Sequence, residues 1–397
     1  MDTRARIHSE GKGVRTWAVV PVPAIGPYDA LICPTMVATC TTDVHLIETA
    51  AFPAALGKVV GHEAVGVVER VGESVVDFAA GDRVIIPTGF SDWRHPAAQR
   101  GEAKYHQTNS PYFSEDADNA GTFSEFVKTL DADQNLALIP DSVTDQQAVM
   151  VPAMMSTGFS GVERMNIEFG DTVLVLGIGP VGLLGVAGAA LRGAGRIIAV
   201  GSRPKTVELA RFYGATDIID YKQGDVAAQV LALTGGKPVD SVLVASGGSA
   251  TGAFTTALTA VKFGGHVDCV AVFFDDKDVR IPMEFLNFGV MEKFITEVLV
   301  KDGREYLGRL LVLIENGKID TAPLVSHVLD EWSELENGMA LMRSRDTSVI
   351  KPVVKTPGCS ATSGAVRREL AISLWWKSTG TRAACCPTWR TRMCRSC

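Results

Sequence analysis

Hydrophobic and polar positions follow two different patterns along the chain. Up to about residue 150, apolar runs of three or four residues, such as 30–32, 66–68 and 83–86, are separated by Gly and Pro. Short runs bounded in this way are typical of strands and turns. We therefore predict an all-β barrel or sandwich for this part, with residues 88–122 as a long polar surface loop.

A different pattern begins near residue 155. Strands are predicted at 172–176, 196–200, 217–219 and 241–245, and helices between them at 181–192, 206–213 and 226–234. Alternation at this spacing is typical of βαβ units and a parallel sheet. Helices at 306–315 and 334–342 and a strand at 349–354 follow. We expect an α/β protein in which a doubly wound domain is inserted into a β domain.

The uncharged run from 172 to 191 is about as long as a membrane span. It contains five glycines and a proline, and its first residues are largely β-branched. We therefore interpret it as a strand followed by a helix. The chain opens with mostly polar residues, which is not the pattern of a signal peptide.

Charge and cysteines are unevenly distributed. The 397 residues carry a net charge of −7, which argues against nucleic-acid binding through bulk charge. Residues 357–397 hold seven basic side chains, one acidic side chain and five of the eight cysteines. We expect this tail to be disordered, with zinc, membrane or nucleic-acid binding as alternatives. Three scattered cysteines elsewhere make no disulfide framework, so we expect a reduced, cytoplasmic protein.

The segment from Gly177 to Gly182 has the pattern GxGxxG between a predicted strand and a predicted helix. In this context Gly177 allows a tight turn, Gly179 lets the backbone approach a pyrophosphate, and Gly182 allows close packing of helix on strand. The helix N-terminus then faces the anion. The segment predicts dinucleotide binding.

The residues after the second strand of this unit indicate which dinucleotide is bound. An NAD-dependent enzyme typically has an acid here, which binds the ribose 2′-hydroxyl group. This chain has Gly201, Ser202 and Arg203 instead. Glycine leaves space for a 2′-phosphate, serine can donate a hydrogen bond to it, and arginine can pair with it. We therefore predict NADP rather than NAD.

Two short clusters in the β domain carry metal-binding side chains. Cys40 and His45 lie in Cys-Thr-Thr-Asp-Val-His, and His62 and Glu63 follow Gly61. Sulfur, imidazole and carboxylate ligands suit zinc, whose catalytic sites keep one position open.

These segments together resemble the zinc-dependent medium-chain alcohol dehydrogenases, most closely the NADP-dependent secondary-alcohol (isopropanol) dehydrogenases. The resemblance extends from about residue 15 to 356. It includes Gly61-His-Glu-Ala-Val-Gly, Met154-Met-Ser-Thr-Gly-Phe and Gly193-Ala-Gly-Arg-Ile-Ile-Ala-Val-Gly-Ser-Arg-Pro.

The resemblance implies roles for individual residues. Cys40 and His62 match zinc ligands, and Glu63 matches a carboxylate that enters or leaves the coordination shell. Thr42 matches the hydroxyl that binds the substrate alcohol, and His45 matches the imidazole that passes the proton to solvent. Residues matching the cofactor site are Thr157, Gly177, Gly179, Pro180, Val181, Gly182, Gly201, Ser202, Arg203 and Tyr221.

One expected ligand is missing. The resemblance implies an aspartate before Met-Met-Ser-Thr-Gly-Phe, where this chain has Ala153. Alanine has no donor atom, so Cys40, His62 and Glu63 are the remaining candidates. We expect weaker zinc binding; a zinc-poor relative, an inactive paralogue and a deliberate ligand substitution all stay open.

The resemblance implies a GroES-like β-barrel catalytic domain at 1–155 and 298–356, around a Rossmann domain at 156–297. The expected activity is NADP(H)-dependent interconversion of small secondary alcohols and ketones with zinc, by a homotetramer without nucleic-acid or membrane partners. Two alternatives remain: a zinc-free reductase like the quinone oxidoreductases, and a dinucleotide-binding protein without turnover.

Overall fold

The computed structural model describes residues 2–8, 15–49, 57–105, 121–273, 276, 278–285, 292–344 and 346–358. Apart from its first two residues, the tail predicted at 357–397 lies outside the described residues. The strands are β1 (Asp2–His8), β2 (Arg15–Pro21), β3 (Ala30–Ala38), β4 (Ala64–Val71), β5 (Arg83–Ile86), β6 (Val127–Thr129), β7 (Ala137–Leu138), β8 (Thr172–Leu176), β9 (Arg196–Val200), β10 (Asp217–Ile219), β11 (Val239–Val244), β12 (Val261–Cys269), β13 (Phe294–Glu297), β14 (Val325–Leu329) and β15 (Lys351–Lys355).

The helices are α1 (Thr41–Thr49), α2 (Pro96–Gln99), α3 (Ala132–Asn135), α4 (Asp145–Ala148), α5 (Ser156–Arg164), α6 (Pro180–Leu191), α7 (Pro204–Phe212), α8 (Val226–Leu233), α9 (Ala250–Ala260), α10 (Arg304–Glu315) and α11 (Leu335–Arg343). A π-helix, Val151–Met155, precedes α5. None of the helices in the described part of the chain combines the length and apolar composition needed to cross a bilayer.

The first large sheet has the order β14-β15-β3-β4-β5-β7, and β6 also pairs with β3. Strands β3, β4 and β5 are antiparallel neighbours, and β3 is buried along nearly its whole length. Strand β15 pairs antiparallel with β3, with Val353 opposite Ala38. The end of the described part of the chain thus returns to the sheet that the first part builds.

The second sheet is parallel, in the order β10-β9-β8-β11-β12-β13. Its central strands are continuous apolar runs because helices cover both faces. Side chains of α6 and α7 pack on one face beside Val173 and Ile197. Side chains of α8 and α9 pack on the other, beside Leu174 and Ile198. The sheet is therefore doubly wound, which confirms the predicted fold class.

Several predicted elements have the bounds expected from the sequence: 172–176, 196–200 and 217–219 are strands β8, β9 and β10. The run considered as a membrane span is β8 and α6. The predicted strand at 349–354 starts later, as β15, and helix α9 runs directly into β12 without a turn residue to mark it. The domain boundaries at 155, 297 and 356 remain predictions.

The cysteines differ in one respect from expectation. Cys40 and Cys269 are free, but Cys33 is disulfide-bonded. The expectation that all three cysteines of the body are reduced is therefore wrong for Cys33. Its position within β3 gave no signal, because a buried cysteine in a strand has the same pattern as any small apolar residue.

Candidate metal and cofactor site

Three side chains with metal-binding atoms converge where α1 begins and β4 begins. One ligand atom each from Cys40, His62 and Glu63 lies within 4.8 Å of the others. Cys40 directly precedes α1. His62 and Glu63 directly precede β4 and follow Gly61, which has φ 96°. A Cβ at Gly61 would lie 2.5 Å from the Phe123 ring, so glycine is required for this approach.

The Asp43 carboxylate contacts two residues of the cluster. Its Oδ1 lies 3.0 Å from His62 Nδ1, and its Oδ2 accepts a hydrogen bond of 3.2 Å from the Cys40 backbone N–H. With a proton on Nδ1 shared with a carboxylate, Nε2 of the imidazole offers its lone pair to a cation. Asp43 is fully buried. Through these two contacts it positions two of the three candidate ligand residues, Cys40 and His62.

Glu63 forms an ion pair with Lys351, the first residue of β15. Lys351 Nζ lies 2.5 Å from Glu63 Oε2, and neither side chain is more than 2% exposed. Burial by itself raises the pKa of Glu63, but Lys351 and His62 outweigh it, so the pKa is lowered. Burial likewise opposes the charge of Lys351, but Cys40 and Glu63 raise its pKa. Both groups therefore keep their charges inside the protein.

The donor set and spacing fit zinc. His62 Nε2 and Glu63 Oε1 are 3.4 Å apart. Two ligands at about 2.0–2.2 Å from a tetrahedral ion lie about 3.4 Å apart, and a thiolate completes a three-ligand site with an open position. Ala153 lies in the π-helix, 8% exposed, and offers no donor atom. The described residues thus supply three candidate ligands, as the sequence indicated, while their role as ligands remains a prediction.

Thr42 and His45 lie on α1, just beyond Cys40. They are three residues apart and therefore share one face of the helix. Both side chains are half-buried. This places a hydroxyl group and an imidazole on one side of the helix that follows Cys40.

The glycine fingerprint has the geometry expected of a nucleotide-binding turn. Gly177 has φ 95°, and a Cβ there would lie 2.7 Å from Ser246. A Cβ at Gly182 would lie 1.9 Å from the Gly177 carbonyl oxygen, so helix α6 packs directly against β8. Nothing lies within 4 Å of a Cβ at Gly179, whose backbone faces open space at the N-terminus of α6.

That open space is part of a cavity of about 550 Å³ along the carboxyl ends of β8, β9 and β11. Six predicted cofactor residues line it: Gly177, Gly179, Gly201, Ser202, Arg203 and Tyr221. Four are not among its lining residues: Thr157, Pro180, Val181 and Gly182. Pro180 and Val181 begin α6, and α5, which carries Thr157, packs on it. The cavity and fingerprint fit a dinucleotide.

Two contacts shape the end of β9. A Cβ at Gly201 would lie 2.1 Å from Ile178 Cγ1. Ile178, which lies inside the fingerprint, therefore packs directly on Gly201. Arg203 donates a hydrogen bond of 2.8 Å from Nη1 to the Val349 carbonyl, two residues before Lys351. The cation next to the cavity is thereby tied to the segment that enters the first sheet.

Sequence reasoning missed several residues of the site. Asp43 was visible only as an acid three residues after Cys40. Lys351 is a lone charge in an otherwise apolar run, a signal that could have been used. Ser246, Gly247 and Ser249 line the cavity after β11, where a Ser-Gly-Gly-Ser run follows the predicted strand.

This combination of a cysteine–histidine–glutamate cluster on an antiparallel sheet and a dinucleotide cavity on a parallel sheet defines a zinc-type dehydrogenase. Residues 26–141 match the alcohol dehydrogenase GroES-like domain, and residues 180–313 match the zinc-binding dehydrogenase domain. The chain belongs to this family, which confirms the resemblance seen in the sequence.

Similar proteins indicate which kind of zinc-type dehydrogenase the chain resembles. The chain is 44% identical over 343 residues to the NADP-dependent isopropanol dehydrogenase of Thermoanaerobacter brockii, covering 85% of this chain and 96% of that protein. It is 40% identical to the enzyme of the same name from Entamoeba histolytica, covering 87% and 94%. Among solved structures, alcohol dehydrogenase TADH from Thermus sp. ATN1 superposes with a TM-score of 0.78 at 28% identity, covering 89% and 99%.

Proposed function

We propose that the protein is an NADP(H)-dependent dehydrogenase that interconverts small secondary alcohols and ketones with zinc. The observation that carries the proposal is the convergence of Cys40, His62 and Glu63 in a chain whose second sheet holds a dinucleotide cavity. Relatives named NADP-dependent isopropanol dehydrogenase support the substrate class and the cofactor.

When bound, zinc supplies a Lewis acid for the substrate oxygen, and NADP supplies the hydride acceptor. Cys40, His62 and Glu63 would hold the ion, and Asp43 would keep the His62 ring in the tautomer that binds it. Thr42 would accept the proton of the alcohol and donate its own onward. His45, on the same face of α1, would release that proton to solvent.

The cofactor preference rests on the end of β9. Gly201 carries no acid that would repel a 2′-phosphate, and Ser202 and Arg203 line the same cavity. Arginine pairs well with phosphate because its planar guanidinium donates two parallel hydrogen bonds. Tyr221 borders the same cavity and is 55% exposed, so its ring is accessible to a ligand.

Cys40 and Cys269, the free cysteines of the described residues, provide a matched test of the metal site. In Cys40→Ser the thiolate ligand is lost, and we expect zinc content and 2-propanol oxidation with NADP to fall together. Cys269→Ser changes a buried cysteine in β12 and should keep both. Retention of zinc and turnover by Cys40→Ser would remove this cluster from the mechanism.

One observation favours a second candidate. Ala153 leaves the cluster with a single carboxylate ligand, Glu63, and that carboxylate is shared with Lys351. A zinc-free reductase of the quinone-oxidoreductase type would need neither zinc nor a carboxylate ligand for it. Its mark would be full NADPH-dependent reduction of quinones after zinc removal, whereas the main proposal expects chelation to abolish ketone reduction. Cofactor binding without turnover in either assay would leave a dinucleotide-binding protein.

The proposal includes a homotetramer in the cytoplasm. Strand β13 is the edge of the parallel sheet, and its Phe294 and Ile295 are 55% and 42% exposed. Exposed apolar side chains on an edge strand favour contact with a second copy of the chain. Light scattering of the wild type and of Ile295→Lys tests this, with a smaller assembly expected for the variant.

A further inference from the structure

One hydrogen bond links the cofactor cavity to the strand that carries Lys351. Arg203 lines the cavity, and its Nη1 donates a hydrogen bond of 2.8 Å to the Val349 carbonyl. Arg203 directly precedes α7, whereas Val349 lies two residues before Lys351, the first residue of β15. A side chain that the proposed function assigns to the 2′-phosphate thus also holds backbone that enters the first sheet.

The segment that Arg203 holds is fixed by further contacts. The Val349 N–H donates a hydrogen bond of 3.3 Å to the Asp346 carbonyl, and the Ile350 N–H donates one of 3.0 Å to Ser326 Oγ in β14. Val349 and Ile350 are 6% and 2% exposed. Because packed interiors transmit strain, a change at the Val349 carbonyl is passed along this backbone to Lys351.

Lys351 in turn holds one oxygen of a candidate zinc ligand. Its Nζ lies 2.5 Å from Glu63 Oε2, while Glu63 Oε1 lies 3.4 Å from His62 Nε2. Neither Lys351 nor Glu63 has a side chain more than 2% exposed. The position of Lys351 therefore determines how Glu63 presents its other oxygen beside His62. A continuous path of hydrogen bond, backbone and ion pair runs from the cavity to the metal-binding cluster.

The Arg203 guanidinium can hold two partners at once. Arginine carries five N–H donors in a planar fork, of which Nη1 already donates to Val349. The remaining donors can form charge-assisted hydrogen bonds to a phosphate. Ordering so long a side chain costs conformational entropy, and this cost arises only once when two partners share it. A bound 2′-phosphate therefore strengthens the contact with Val349, and NAD, which lacks this phosphate, does not.

We propose that Arg203 is a positioning residue for the metal-binding cluster, which it reaches through Val349 and Lys351, so that NADP strengthens zinc binding more than NAD does. The inference rests on the proposed function, since it takes zinc as the ion and NADP as the cofactor. It adds a coupling between the two sites, with the 2′-phosphate as the group that engages it.

The test measures zinc dissociation constants by chelator competition, in saturating NADP and in saturating NAD. The two cofactors differ only in the 2′-phosphate, so each is the control for the other. We expect the wild type to bind zinc about fivefold more tightly with NADP than with NAD, or more, as is usual for coupled sites. By linkage, zinc should strengthen NADP binding relative to NAD binding by the same factor.

Two variants interrupt the path at opposite ends. Arg203→Ala and Lys351→Met should each abolish the difference in zinc affinity between the two cofactors. Lys351→Met should keep the NADP affinity of the metal-free protein, because Lys351 is not among the residues that line the cavity. Lys205→Ala is the matched control: Lys205 is a surface cation that pairs with Glu208, and this variant should keep the wild-type difference.

The comparison of cofactors separates coupling from folding. A merely structural role of Arg203 would change zinc affinity equally with NADP and with NAD. A wild-type difference below about twofold, or one that survives in Arg203→Ala, overturns the inference and leaves the proposed function intact; Arg203→Ala decides alone if Lys351→Met does not fold. A wild-type protein that binds no zinc, or that prefers NAD, overturns the proposed function and this inference with it.

Discussion

Lys351 and Glu63 form an ion pair inside the protein, with 2.5 Å between Nζ and Oε2. The pair joins β15, near the end of the described chain, to the segment directly before β4 that carries His62 and Glu63. The ammonium group keeps Glu63 ionised despite its burial. A carboxylate that is ready for a cation is thus maintained in the metal-free protein by an internal cation.

The first prediction concerns the stability of this pair. Lys351→Met leaves the buried Glu63 charge without its partner, so the free energy of unfolding of the metal-free protein should fall by about 3–5 kcal/mol. Lys355→Met is the control on the same strand, because Lys355 is half-exposed and pairs with Asp330 at 3.3 Å. Exposed pairs contribute up to about 1 kcal/mol. Chemical denaturation measures both.

A double variant makes the interpretation stricter. In Lys351→Met with Glu63→Gln, no uncompensated charge remains, so part of the loss should be recovered. Equal losses in the single and the double variant would mean that Lys351 acts by packing rather than by charge.

The second prediction concerns cofactor choice. Arg203→Ala should weaken NADP binding by about 10- to 100-fold, because charge-assisted hydrogen bonds contribute about 1.5–3 kcal/mol. NAD binding should change little, since it has no 2′-phosphate. Lys205→Ala is the control: Lys205 is a nearby surface cation that pairs with Glu208 at 3.1 Å. Equal loss of NAD and NADP affinity would show that the Arg203 contact to Val349 matters only for the fold.

The structure also changes how this pocket should be tested. From the sequence, Gly201→Asp is the obvious way to convert the preference to NAD. A Cβ at Gly201 meets Ile178 Cγ1 at 2.1 Å, so that variant would also displace the fingerprint loop. Arg203 gives the cleaner experiment, because its guanidinium group reaches the Val349 carbonyl outside the loop.

The parallel sheet was predictable because local and long-range signals agree there. Strand β8 is an apolar run, the glycines after it mark the turn, and α6 begins at Pro180. The cluster of Cys40, His62 and Glu63 was predictable as candidate residues by type and by resemblance. Their convergence depends on pairing of β3 with β4, which a single sequence does not reveal.

Charged residues far apart in the chain account for most of what was missed. Lys351 and Glu63 lie far apart in the chain, and Asp302 meets the Thr88 and Gly89 backbone N–H groups only because the connection before α10 folds back on the end of β5. Neither has a periodic pattern or a motif. Their positions follow from the return of the chain to the first sheet, which is a property of the whole fold.

The third prediction concerns pH. Burial raises the pKa of Asp268 in β12 from 3.8 to about 7, while Arg164 and Thr296 oppose the shift. Between these values the folded state binds more protons than the unfolded state, so the free energy of unfolding falls as pH rises. The stability contribution is therefore complete below about pH 4 and lost by about pH 7.

Asp268→Asn should remove this dependence. Relative to wild type, the variant should gain stability as pH rises from 4 to 8, by at most about 4 kcal/mol at about 1.4 kcal/mol for each pKa unit. Asp278→Asn, at an acid that is 75% exposed, should follow the wild-type curve. Denaturation at several pH values gives the comparison, and parallel curves for wild type and Asp268→Asn would refute the prediction.

The last prediction concerns Ala153, which lies in the π-helix at the sequence position where the resemblance implies a ligand. Glu63 is the one carboxylate among the candidate ligands of the described residues, and Lys351 pairs with one of its oxygens, so zinc should bind more weakly than in a four-ligand site. Ala153→Asp adds an anionic donor, so zinc affinity and the rate of 2-propanol oxidation should rise together. Asparagine has the size of aspartate without its charge, so Ala153→Asn should give little gain. This variant therefore separates ligation from filling of space.

The metal-free protein should stay folded in all three forms, because its core is large and its cofactor cavity lies on the other sheet. Zinc dissociation constants, rates and NADP affinities of the three proteins, purified without chelator, provide the measurement. Saturated zinc in the wild type, with no faster turnover in Ala153→Asp, would show that Ala153 does not impair this site.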